Sequence, residues 1–401
     1  MPEGPLSDDL DYESAIALVD HHAHGVVTTD LDRDAFERLI SESGGTAPPG
    51  TSHFEAPIGV SIRRWCAPVL GLEPNASPED YVRARAALGP EEVNRRLLRR
   101  AGLELLVLDT GHRPDEVATP AEMAELSAVP VAEVVRVETV AASLAGGSSG
   151  PGEWAARIKG ALGAAAAGAV GLKTIVAYRY GLDLDPVRPS PPEVAAALDG
   201  WFRDSSQGGF RLTSPVLLRH LLHEALDLAS SESLPFQVHA GFGDPDLTLH
   251  RSDPSLFTPW VRLAAAAGVD IVFLHCYPYH RQAGYLAEVF ANCYFDVGCA
   301  LNYTGPSAGR VLAEALEMAP FTKMLYSSDA FGLAELVYLG ALQFRRHLAA
   351  ILDGFVERGE CGRDDARRIT AQLAVGNARR IYPFERAADP KAPAFSSERS
   401  S

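Results

Sequence analysis

Lysine is almost missing from this chain, and basic charge of either kind is outnumbered. Four lysines, Lys159, Lys173, Lys323 and Lys391, join the arginines to make 36 basic side chains against 52 acidic ones, a formal charge of −16. A balance of that sign argues against a nucleic-acid backbone or an anionic membrane as partner, because either is bound through a basic face that releases counterions. Cysteine is scarce too: the thiols at 66, 276, 293, 299 and 361 form no CxxC pair and no regular framework, a usage that fits reduced thiols in a cytoplasmic protein. No apolar run is long enough to span a bilayer, since the alanine-rich stretch at 161–172 is broken by glycines and reads as helix, turn and strand. The acidic opening "MPEGPLSDDLDYES" lacks the basic and apolar pattern of a leader, so no secretory signal is expected.

Apolar material, by contrast, is plentiful. At 47% of 401 residues it suffices for a large core, and one enzyme domain is expected over residues 1–387. The Pro/Ser-rich end "RAADPKAPAFSSERSS" predicts a disordered tail at 388–401. Eight short β-like runs alternate with helical segments: 16–24, 103–110, 132–139, 169–177, 235–240, 270–276, 293–299 and 323–330. That alternation predicts a parallel sheet wrapped by helices, and the count of eight predicts a (β/α)8 TIM barrel. The stretch between the first two runs exceeds what one crossover helix needs, which predicts a helical insertion over the barrel mouth at about residues 30–95.

Within the first run, "LVDHHAHGV" holds three histidines in four positions. Side chains of a strand alternate, so His22 and His24 share one face and His21 takes the other. Two imidazoles aimed at one point are half of a metal site. In a barrel the functional side chains come from the C-terminal ends of different strands. His239, His275 and Asp329 close later runs in the same way, and Lys173 lies inside the fourth. Taken singly, each histidine reads as a hydrogen-bonded core residue and Asp329 as a helix cap; together they call for a divalent cation, which compensates all of these groups at once. His112, His220, His223, His250 and His347 have no convergent partner and read as ordinary.

The order "DHHAH", "GLKTIVAYRYGL", "FQVHAGFGD", "FLHCYPYHRQAGYLA" and "LYSSDAFG" resembles the amidohydrolase superfamily. Within it, the "LKTIVAYRYGL" block is similar to the amidohydrolase-2 type, related to the nodulin-like and FluG-type hydrolases that are fused to glutamine synthetase. The likeness runs from about residue 14 to "GNARRIYPF" at 376–384, and no glutamine synthetase domain follows in this sequence. The resemblance implies that His22, His24, His239 and His275 bind metal, with Asp329 as ligand and proton shuttle. It implies one or two divalent ions, zinc being the expectation. A strand-four lysine in such barrels is often carboxylated to bridge two metals; the other reading of Lys173 is an unmodified lysine that binds a substrate carboxylate beside a single metal.

Arg136 and Glu138 alternate on the third run and are expected either to face the barrel mouth or to pair with each other. Tyr178, Arg179, Tyr277 and His280 follow in the next loops as further candidates for holding substrate. The expected reaction is hydrolysis of an amide-like bond, γ-glutamyl or N-acyl amino acid, in a small carboxylate-bearing molecule, with Asp329 and His275 in catalysis and His280 a second candidate to steady the oxyanion. A metal-dependent decarboxylase and a catalytically silent partner of glutamine synthetase remain as alternatives, and the sequence leaves a homo-oligomer open.

Overall fold

The computed structural model describes residues 16–204 and 209–388. The acidic opening and the expected tail beyond 388 lie outside them. Seven strands run in parallel, each paired with its neighbour in chain order: β1 Leu18–Ala23, β2 Leu103–Asp109, β3 Val131–Arg136, β4 Gly171–Thr174, β5 Phe236–Ala240, β6 Ile271–His275 and β7 Cys293–Phe295. The expected eighth run, 323–330, forms no regular strand. It makes one parallel bridge, Phe295 to Met324, and backbone bonds to both outer strands: Leu325 N to Phe295 O at 2.9 Å and Asp329 N to His22 O at 3.0 Å. Ladder pairing fails there because the Asp20 carboxylate takes the Ser328 N–H at 2.9 Å, and Asp329 turns to φ +48°. The sheet is therefore curled with its outer strands bridged, a TIM-barrel-like α/β arrangement.

Between β1 and β2 lie α1 Arg33–Leu39, α2 Pro57–Trp65, α3 Pro78–Leu88 and α4 Pro90–Arg100. The later crossovers are α5 Pro120–Ser127, α6 Val137–Gly146, α7 Pro151–Ala165, α8 Val176–Arg179, α9 Pro191–Asp204, α10 Pro215–Glu232, α11 Thr258–Ala266, α12 His280–Val289, α13 Gly298–Thr304 and α14 Ala308–Ala315. The chain ends on α15 Ala334–Glu357, α16 Arg363–Ala371 and α17 Asn377–Ile381. Many of these helices begin at a proline, whose missing N–H is one that the first turn could not have paired in any case. None among the described residues is long and apolar enough to cross a membrane.

The segment between β1 and β2 is docked by a buried ion pair. Arg85 on α3 gives Nε to Glu335 Oε1 at 2.6 Å and Nη2 to Oε2 at 3.3 Å, while the Tyr81 hydroxyl donates to Oε1 at 3.0 Å. Glu335, at the start of α15, is fully buried. Arg85→Met therefore leaves a buried carboxylate without its counterion, and the expected loss is about 3–5 kcal/mol in urea unfolding. A loss below about 1 kcal/mol, the range of an exposed pair, would show that Glu335 reaches water in the fold.

Inside the curl a second apolar cluster collects Val19, Val107, Val134, Val272 and Leu325, and is closed from below by Ala378, Ile381 and Tyr382. The opposite ends of the strands, where β1, β2, β5 and β6 terminate in His, Asp or Ala, are left for polar groups.

Candidate metal centre

The ends of two strands, β1 and β6, meet at Asp329. Its Oδ1 lies 3.4 Å from His22 Nε2 and 3.8 Å from His24 Nε2, and its Oδ2 lies 3.0 Å from His275 Nδ1. The His239 ring centroid is 4.6 Å from that of His275. His22 and His24 converge, but the β1 register shifts between Asp20 and Ala23, so His21 does not take the outer face that strict alternation gives it: it meets Asp296 and Tyr382, the latter in the cluster inside the curl.

Backbone geometry supports the convergence. His275, Cys276 and Asp329 all have positive φ, at 70°, 53° and 48°. Non-glycine residues held there cost about 1–3 kcal/mol each and persist only where the surroundings impose them. Here Asp296 Oδ1 grips the His275 N–H at 2.8 Å and the Gly298 N–H at 2.7 Å. A Cβ at residue 298 would sit 2.3 Å from Ser327 Oγ, so any larger residue there would have to displace that hydroxyl.

The donor set fits a cation. His22 Nδ1 lies 2.9 Å from Gln237 Oε1 and His24 Nδ1 2.9 Å from the Asp109 carbonyl oxygen. Oxygen acceptors at both Nδ1 positions leave both Nε2 atoms as lone pairs turned to Asp329. His239 Nε2 is buried with no hydrogen-bond partner among the described residues. Burial, reinforced by Lys173, keeps His22 well below the usual imidazole range, and burial lowers His24 to about 4, so both rings are neutral at pH 7, the form that a metal requires. Burial pushes the Asp329 carboxyl up, but His275, His24 and Lys173 outweigh it and hold it ionised. Two overlapping triads, His22 with His24 and Asp109, and His22 with His275 and Asp329, bring their ligand atoms within 4.8 Å of one another.

Asp109, which the sequence reading missed, sits at the centre of the charge balance. It closes β2 just as the recognised ligands close their strands, and that position was the available signal. Its Oδ2 accepts from Arg136 Nη2 at 2.6 Å and lies 3.0 Å from Lys173 Nζ. Burial raises its carboxyl, yet the two cations outweigh it and hold it well below the usual range. Lys173 Nζ is also 2.9 Å from His22 Nε2.

Above the ligands opens a cavity of about 290 Å3 whose walls include Tyr178, Arg179, Arg136, Glu42, His112 and Phe331. His112, read from the sequence as ordinary, has its ring 5.5 Å from that of His24. Glu42 comes from the segment between β1 and β2 and accepts from the Tyr303 hydroxyl at 2.7 Å. Arg179 offers a buried Nε with no hydrogen-bond partner among the described residues, whereas Arg136 commits Nε and Nη2 to Asp109.

Three expected substrate contacts are not brought to this cavity. Glu138 leaves the strand alternation because β3 ends at Arg136 and α6 begins at Val137; its carboxylate accepts from the Thr174 hydroxyl and from Ile175 N. The expected Arg136–Glu138 pair is accordingly replaced by Arg136–Asp109. His280 Nε2 is bound to Glu314 at 2.9 Å, its ring stacked on Tyr277, and Tyr277 lines a separate hollow with Phe242 and Tyr303.

Known proteins are similar to this chain in sequence or fold. A family model described as amidohydrolase matches residues 19–384. The chain is 28% identical over 403 residues to protein fluG of Emericella nidulans, covering 91% of this chain and 45% of that protein, so it spans less than half of that relative's length. The crystal structure of a Lactobacillus casei protein, named provisionally as a metal-dependent hydrolase, is similar at a TM-score of 0.80 and 28% identity, over 96% of this chain and 99% of that one. A uronate isomerase of Thermotoga maritima gives a TM-score of 0.65 at 13% identity, over 94% and 98% of the two chains, a likeness of fold alone.

Proposed function

The chain belongs to the amidohydrolase family, and from that premise we propose that it hydrolyses an amide-like bond in a small carboxylate-bearing molecule, a γ-glutamyl amide or an N-acyl amino acid. The observation that carries the reading is the meeting of Asp329 with His22, His24 and His275 under an arginine-bearing cavity. His22, His24, His239, His275 and Asp329 are the groups that would hold a divalent cation, zinc in our reading. Such a cation supplies Lewis acidity, lowering the pKa of water from about 15.7 toward about 7. Asp329, ionised and facing the same point, takes a proton from the attacking water and returns it to the leaving nitrogen as the carbon–nitrogen bond breaks.

In this scheme Lys173 stays uncarboxylated. Asp109 is 3.0 Å from Nζ and would face the negative charge of a carbamate at that position, so we favour one cation over a carboxylated bridge between two.

Arg179, with its unpartnered Nε on the cavity wall, is the residue that binds the substrate carboxylate. A charge-assisted contact of this kind contributes about 1.5–3 kcal/mol, so Arg179→Ala should lower kcat/KM by about ten- to a hundredfold. Removing the carboxylate from the substrate should cost the wild type a similar factor and the variant little, because both changes delete one interaction. The measurement is release of amine and acid from a panel of γ-glutamyl amides, N-acyl amino acids and their decarboxy analogues, with zinc-loaded and chelator-stripped protein. Carbon dioxide released from a ring carboxylic acid, with no carbon–nitrogen cleavage on the panel, would replace this reading with a lyase.

A further inference from the structure

His22 owes its useful nitrogen to groups far from the cavity. Gln237, fully buried on β5, places Nε2 3.0 Å from the His21 carbonyl oxygen and 2.9 Å from the Tyr382 hydroxyl. Chemistry settles which end of this amide is which. A backbone carbonyl only accepts, so the amide atom beside the His21 oxygen is the NH2 group, and the atom 2.9 Å from His22 Nδ1 is the carbonyl oxygen. That oxygen in turn requires a hydrogen on Nδ1, which leaves Nε2 of His22 as a lone pair.

Tyr382 secures the amide from the chain's far end. Its ring belongs to the inner core, and its hydroxyl also meets His21 Nδ1 at 3.0 Å. His21 Nε2 lies 2.9 Å from Asp296 Oδ2, off the line of an ideal hydrogen bond, and Asp296 is the group that holds the His275 backbone. One buried set of polar side chains thus reaches ligand candidates on both β1 and β6, and its members His21, Gln237 and Asp296 are fully buried.

We propose that Gln237 is a positioning residue for the metal centre: it holds His22 in the tautomer that presents the Nε2 lone pair, and Tyr382 with the His21 carbonyl fixes the amide. The inference rests on the reading of His22 as a cation ligand.

Zinc affinity by chelator competition, measured beside urea stability, tests it. Gln237→Leu removes the acceptor for Nδ1–H and should weaken zinc binding about ten- to a hundredfold, the usual effect of losing an outer partner of a ligating histidine. Gln237→Glu keeps an acceptor there and should stay within about threefold of wild type. Stability should order the two variants the other way, because a buried carboxylate facing the His21 carbonyl is costly and leucine is not. Affinities that follow stability, or a Leu variant that binds zinc as wild type does, overturn the proposal. If either variant fails to fold, Tyr382→Phe decides: losing one hydroxyl should weaken zinc several-fold, and wild-type affinity there also overturns it. His22→Ala separates the two levels, for if that variant binds zinc like wild type the ligand reading itself has failed, whereas its loss of zinc beside an unaffected Gln237→Leu rejects the positioning role alone.

Discussion

Asp329→Asn, assayed at saturating zinc, is expected to lower kcat by about 10²- to 10⁴-fold, the range for removal of a positioned general base. Asparagine matches aspartate in volume and tolerates positive φ as well as aspartate does, so the φ of +48° at this position and the backbone bond from its N–H to the His22 oxygen survive the change. What is lost is the carboxylate that lies 3.0 Å from His275 Nδ1 and 3.4 Å from His22 Nε2. The amide accepts no proton at neutral pH, so the water proton has no carrier to the leaving nitrogen. Bound zinc measured on the same samples separates this effect from loss of a ligand. A kcat within tenfold of wild type at full zinc occupancy would remove Asp329 from the proton path.

His22→Ala and His24→Ala are each expected to lose more zinc affinity than the ten- to hundredfold that follows loss of an outer partner, and with it nearly all turnover. Each change deletes one of two Nε2 lone pairs that point at Asp329. From the strand alternation alone, His21→Ala is expected to resemble wild type, since that side chain leaves the ligand face. The structure revises this expectation. His21 is fully buried between Asp296 and the Tyr382 hydroxyl, so its removal leaves buried polar groups without their neighbour, with an expected cost of about 1–3 kcal/mol in unfolding. The folded fraction of His21→Ala should nevertheless bind zinc far better than His24→Ala. The reverse order would mean that the β1 register is off by one residue.

The convergence of these side chains was legible because its signals are local. His22 and His24 sit two apart on a strand, and His239, His275 and Asp329 close or follow apolar runs, so alternation and strand ends were enough to pick them out. Asp109 carried the same strand-end signal and was passed over among 52 acidic residues, because nothing nearby in sequence marks it. Glu138 was misplaced for a local reason, a helix that starts one residue after β3 and breaks the alternation. His280 and Tyr277 follow β6 closely, yet the turn into α12 directs the histidine to Glu314.

By itself, then, the sequence determined the alternation of strands and helices, the helix starts at proline, and the histidines and aspartate at the strand ends, because each depends on periodicity or on chemistry within a few residues. Only the tertiary structure decided partner choice: Arg136 with Asp109 instead of Glu138, Gln237 behind His22, and Tyr382 beside His21 from 361 residues away. A buried polar group must find a partner wherever the fold brings one, and hydrogen-bonding capacity alone does not say which of many distant candidates will arrive.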